Sequence, residues 1–227
     1  MAIIQTAAAS SGSAVVDPTF QAIRFSERPP EILGAYQYAI TSGALTGVAA
    51  GALVYSFRFN PAVTSNLCMI RRVEIGFSTI TAFGTAQALQ YSMQIARAFT
   101  VVDSGGTSGA FTQANTGKMR TTMPTSQMSL TGSNIQIATA GAMTAGTRTL
   151  DTQPIAFLAG SSTAIGTSLT TSPIYQHQPG DYPLILGYQE GFILNNVQIM
   201  GATGVINLTV NVEWMELSAT SGNVISY

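Results

Sequence analysis

The side chains that could do chemistry in this 227-residue chain are few and far apart. Its one histidine, His177, lies in Tyr175-Gln176-His177-Gln178-Pro179-Gly180-Asp181-Tyr182, where Asp181 could orient it as a general base. Such a base needs a nucleophile, and no Gly-x-Ser-x-Gly elbow accompanies the pair. The bland reading, a histidine in a loop near a turn, is the one these residues carry. The one cysteine, Cys68, sits in the apolar run Leu67-Cys68-Met69-Ile70 and reads as a buried small hydrophobe. It excludes an intrachain disulfide and suits a reducing cytosol. A metal wants at least three ligands, and one His and one Cys far apart do not supply them. A paired-carboxylate hydrolase needs two acids in one cleft. Glu213 and Glu216 fall on opposite faces of a strand, Glu190 lies at a strand start, and nothing in the sequence brings two acids together. The Gly-rich stretches lack the phosphate-loop Gly-x-x-x-x-Gly-Lys-Ser/Thr. The expectation is a non-enzymatic chain without cofactor or metal.

What must position these residues is a chain unusually poor in charge. Asp, Glu, Lys and Arg make up 8% of it, against roughly 25% in an ordinary soluble domain. The formal net charge is −1, whereas free monomers usually keep a mixed charged surface and a net charge away from zero. The composition therefore suggests a subunit covered by neighbours. The near-zero net charge and scattered basic residues argue against nucleic acid as a partner. The early uncharged stretch from Ile32 to Phe57 contains Gly34, Gly43, Gly47 and Gly51 among polar residues, so no membrane-spanning helix is expected. Nor does Met1-Ala2-Ile3-Ile4-Gln5 resemble a secretory signal.

Residues 1–31 read as an extended N-terminal arm. A run of Ala and Ser leads to Asp17-Pro18 and then to Arg24, Glu27, Arg28, Pro29, Pro30 and Glu31. Pro29-Pro30 favours extended backbone. The charges there could fix the register of the arm on a neighbouring subunit. Residues 32–227 read as one β-sandwich domain. Leu53, Tyr55, Phe57 and Phe59 alternate with Val54, Ser56 and Arg58, a half-buried strand ended by Asn60-Pro61. The next run places Met69, Arg71, Val73, Ile75 and Phe77 on one face, and Tyr91 to Val101 alternates as clearly. A Gly/Thr/Ala-rich loop region around 103–171 offers one short strand, Asn134–Ala138. Phe192–Met200 and Val205–Leu217, joined by Gly201-Ala202-Thr203-Gly204, read as an antiparallel hairpin. Ile206, Leu208, Val210, Val212 and Trp214 should face the core. Short strands, Gly-rich turns and no helical periodicity give an all-β, antiparallel, jelly-roll-like sandwich.

The runs Gly180-Asp181-Tyr182-Pro183-Leu184-Ile185-Leu186, Gln189-Glu190-Gly191-Phe192-Ile193-Leu194, Met200-Gly201-Ala202-Thr203-Gly204 and Val210-Asn211-Val212-Glu213-Trp214 resemble a type of tailed-bacteriophage virion protein. Those chains are similarly poor in charge and end in a comparable Gly-Phe, Gly-Ala-Thr-Gly and Val-Glu-Trp pattern. Asp17-Pro18-Thr19-Phe20, Arg28-Pro29-Pro30 and Ala145-Gly146-Thr147-Arg148-Thr149-Leu150-Asp151 look like the same type. The motifs are structural, so no functional residue carries over. The resemblance implies a capsid-associated protein in the virion, assembled in the host cytoplasm, such as a decoration (cement) subunit, or a fibre or tail component.

The first expectation is thus a structural subunit that forms a homo-oligomer, a trimer by preference, and contacts the major capsid protein or other virion proteins. Arg24, Glu27, Arg28, Pro29, Pro30 and Glu31 would make that contact. No nucleic acid or membrane is expected as a partner. The alternative is a receptor- or glycan-binding β module of a fibre or tail. There Tyr36, Tyr38, Tyr175, Tyr182 and Tyr188, in loop-like segments, would be the anchors.

Overall fold

The computed structural model describes residues 32–109, 117–130, 134–162, 168–178 and 181–218. Thirteen strands run through them: β1 (Ile32–Thr41), β2 (Leu53–Phe59), β3 (Leu67–Thr81), β4 (Gln87–Arg97), β5 (Gly106–Ser108), β6 (Gly117–Lys118), β7 (Ile135–Ala138), β8 (Thr149–Leu150), β9 (Ala156–Ser162), β10 (Ser168–Gln176), β11 (Leu184–Leu186), β12 (Glu190–Asn196) and β13 (Val205–Leu217). A single 3-10 turn, Gln127–Leu130, interrupts them. Among the described residues, no helix is long and apolar enough to cross a membrane.

The strands form two antiparallel sheets. The front sheet runs β10-β3-β13-β1-β6, with β11 also on β3; the back sheet runs β5-β7-β2-β12-β4-β8, with β9 also on β4. The pairing is nested. β1 pairs with β13, β2 with β12, β3 with β10 and β11, and β4 with β8 and β9. One long antiparallel ribbon rolled across two sheets gives this order, and it is the topology of a jelly roll. The sandwich expected from the sequence is therefore present.

Period two explains why the sheets close on each other. On β13, Ile206, Leu208, Val210, Val212 and Trp214 are fully buried, while Asn207, Thr209, Asn211 and Glu213 between them are half-exposed. Trp214 crosses the interior to meet the back sheet. Its ring lies edge-on to Phe57 at 5.5 Å, and Phe57 stacks on Phe192 at 5.1 Å. Tyr36 flanks the indole at 5.7 Å from the front sheet. Aromatic contacts of this kind add about 0.5–1.5 kcal/mol each beyond the area they bury.

Four local readings need correction. The last two strands are no hairpin, because β12 ends at Asn196 and lies in the back sheet while β13 lies in the front. Residues 197–204 carry the chain between layers. The buried Asn196 amide turns it by donating to the carbonyls of Val48, Ala49 and Gln198. Gly204 is required at that corner, since a Cβ there would strike the Phe83 ring. Secondly, β2 is buried on both faces, not one. Thirdly, a bulge between Glu213 and Trp214 leaves Arg71 outside the ladder and exposed, so Ile70 takes the inner place that alternation gave to Met69 and Arg71. Lastly, β4 stops at Arg97, because Ala98 adopts φ 47° and turns the chain away. The stretch read as loop-rich, 103–171, holds β5 to β9 and the start of β10. Their Ser, Thr, Gly and Ala give pleated backbone without an apolar alternation that a sequence can show.

Candidate contact surfaces

The arm residues expected to make contacts, Arg24, Glu27, Arg28, Pro29, Pro30 and Glu31, lie outside the described residues. The residues weighed for catalysis are dispersed. His177 follows β10, its backbone N–H donating to Arg71 O at 2.8 Å, while Asp181 closes a turn onto Gln178 O. Cys68 is fully buried, and burial pushes its thiol pKa well up. Glu213 and Glu216 do face opposite ways. The structure nevertheless brings two pairs of acids together that the sequence kept apart. Arg72 bridges Glu74 (3.1 Å) and Glu213 (2.8 Å), and Arg97 bridges Asp151 (3.0 Å) and Glu190 (2.8 Å). In each case an arginine stands between the carboxylates and engages both, an ion-pair clamp rather than an acid and a base facing a substrate. Among the described residues no group of three or more His, Cys, Asp or Glu could hold a metal ion.

The outer face of the front sheet is a chain of polar contacts crossing three strands. Gln37 on β1 donates to Asn211 on β13 at 3.1 Å, and Asn211 donates to Glu74 on β3 at 2.9 Å. Glu74 continues to Arg72 and Glu213 through the clamp above. Thr41 and Thr209 extend the row at 3.2 Å. Cross-strand neighbours on one face stand about 4.5–5.5 Å apart at Cβ, which is why the period-two pattern delivers these pairs.

The outer face of the back sheet is roofed over β2 and β7. Past Ala98 the chain folds over β2 and β7, and residues 143–148 lie beside it. Arg58 points outward from β2 under this roof, 7% exposed, donating to Asn134 Oδ1 and Thr100 O, each at 3.1 Å. Desolvation lowers its pKa, and Tyr188 and Asp103 push it back up. Asp103, 1% exposed, accepts from Arg148 and from Gly146 N, and its backbone carbonyl accepts from Gln136. The Arg148 guanidinium also covers the Phe99 ring at 4.8 Å. The sequence signal for this site was an arginine set within an apolar strand.

One end of the sandwich is plugged by the segment before β7. Glu216, on the inner face of β13 and fully buried, accepts from Ser126 Oγ (2.5 Å), Gln127 N (2.8 Å) and Trp214 Nε1 (3.2 Å). Tyr36 Oη donates to Pro124 O at 2.9 Å beside it. Burial raises the Glu216 pKa, opposed by these hydrogen bonds.

The flanks differ from the faces. Of the five tyrosines read as loop anchors, Tyr36 and Tyr38 lie on β1 and Tyr175 on β10. Tyr36 is fully buried and Tyr175 binds Leu184 N, while Tyr182 (74% exposed) and Tyr188 stand out from the surface. On the β9 flank, Phe157 is 54% exposed, with Ile155 just before the strand also exposed. No protein-family model matches the chain, and no curated protein sequence matches it.

Proposed function

We propose that this chain is a non-enzymatic structural subunit of a bacteriophage particle, a capsid-associated decoration protein that works as a homo-oligomer. The observation that carries this reading is how the strands use their few charges. Arg72, Arg97 and Arg148 are tied to carboxylates of the same chain and Arg58 lies under a roof, while Arg71 stands exposed. Charge so engaged does little to repel a neighbouring protein, and the surface between is mainly Ser, Thr, Asn, Gln and Ala. A jelly roll suits this role but does not assign it, since viral capsid domains, lectins and cupins all use it. The sequence resemblance to tailed-phage virion proteins supplies the particle. The test is light scattering on a sizing column, followed by immunogold labelling of purified phage particles with antibody to the folded chain. A discrete oligomer and labelled particles are expected. A monomer at high concentration, or unlabelled particles, overturns the proposal. Deleting residues 1–31 is expected to weaken particle attachment while the fold persists; unchanged attachment removes the arm from the mechanism.

A second reading, a glycan- or receptor-binding module, is favoured by Tyr182 and Tyr188, whose exposed rings could stack on a sugar. Binding on a glycan array that Tyr182→Ala abolishes would establish it, and an array without signal would discard it.

A further inference from the structure

We propose that β9 is the self-association edge of this protein, pairing antiparallel with β9 of a second copy across a twofold axis. The proposal deepens the oligomeric reading above by naming the surface through which copies meet.

Each sheet has two edges, and three of the four are blunted in the ways that stop strands adding to one another. The front sheet ends on one side in β6, two residues long and carrying Lys118. On its other side β10 contains Pro173 and two register shifts. The back sheet ends on one side in β5, three residues long. β9 has none of these devices. It is seven residues long and pairs with β4 in unbroken register from Gln87↔Ser162 to Met93↔Ala156. Among the described residues no second strand hydrogen-bonds to it, although β10 of the front sheet runs close by. A regular strand paired on one side only directs every second N–H and C=O outward, a row that water can satisfy but that also forms a template for another strand.

The side chains fit a copy of themselves. No Asp, Glu, Lys or Arg occurs between Asp151 and Asp181, so nothing on this edge repels its own equal. Phe157 lies opposite Ser92 on the outer face and is 54% exposed, with Ala159 and Ser161 exposed further along the same face. Antiparallel pairing of two β9 strands sets these residues beside their counterparts, so Phe157 packs over its neighbour's edge in place of water. The patch is self-complementary, as a twofold contact requires. The symmetry differs from the trimer suggested by the sequence, because strand-to-strand pairing of this kind builds dimers or assemblies of them.

The experiment is disulfide trapping in the full chain. Cysteines are placed at Phe157, Ala159 and Ser161, singly and in adjacent pairs, with Thr41→Cys on the exposed front sheet as control. Cys68, fully buried, stays out of the reaction. Rapid dimer formation from at least one β9 variant, and none from Thr41→Cys, is expected. Ala159→Lys, which puts like charges against each other on an exposed side chain, is expected to weaken association on the order of a hundredfold with an unchanged circular dichroism spectrum. A native chain that runs as a monomer, or an oligomer that neither cross-links through β9 nor responds to Ala159→Lys, overturns the proposal. An oligomer built through another surface that still labels phage particles would overturn the edge and leave the particle role standing. A β9 dimer absent from particles would do the reverse.

Discussion

The two outer faces of this sandwich carry the same chemistry at different depths. On the front sheet Arg72 meets Glu74 and Glu213 with 35%, 16% and 19% of the side chains exposed. On the back sheet Arg148 and Asp103 meet with 5% and 0% exposed. An open pair trades hydration for a screened attraction and gains little. A buried pair has already lost its water, so its members depend on each other. The front network sets register across strands; the back network pins a roof to a sheet.

Breaking the buried side should have the largest effect. Asp103→Ala strands Arg148 and removes the Gly146 N–H acceptor. A loss of about 3–5 kcal/mol in urea unfolding is expected, as for other broken buried pairs. A loss under 1 kcal/mol would mean that the roof is held by its backbone bonds alone.

Glu216 is the intermediate case, buried yet without a cation. Glu216→Ala leaves the Gln127 N–H and Trp214 indole N–H without their acceptor, at a cost of about 1–3 kcal/mol. Its pH dependence has a definite sign. Burial raises the folded-state pKa above the unfolded one, so the native state holds its proton longer. The stabilisation tied to that proton is full below the unfolded carboxylate pKa and is lost as pH rises through the folded one. Glu216→Gln, neutral throughout, is expected to flatten this part of the stability-versus-pH curve. An unchanged slope in the Gln variant would remove Glu216 as its source.

The smallest effect belongs to the open face. Glu213→Ala should cost less than about 1 kcal/mol, and that cost should shrink further in high salt. A salt-independent loss comparable to Asp103→Ala would erase the distinction between the faces.

Much of the fold was legible. β13 was legible because apolar and polar residues alternate from Ile206 to Trp214, and that inward set is the core set. Alternation says which residues share a face but not which sheet a strand joins. The hairpin reading of β12 and β13 failed there, since both bury an apolar face whether they pair side by side or face each other. β9 is not legible in the sequence because its outward residues are Phe, Ala and Ser and its inward ones Ala, Leu and Gly, which give no apolar alternation. The contact residues assigned to the arm lie outside the described residues, and the contact surfaces described all belong to the sandwich.

The sequence by itself determined that this is a charge-poor, all-β chain with a jelly-roll-like core built around Trp214, because period two and side-chain type are local properties. It also determined that Cys68 would be buried. Only the tertiary structure decided which charges meet, that Glu216 is buried at one end of the interior, and that β9 is, among the described edge strands, the long one in unbroken register. Those facts depend on residues far apart in the chain, 45 positions for Arg148 with Asp103 and 141 for Arg72 with Glu213, and no local pattern encodes a pairing across such distances.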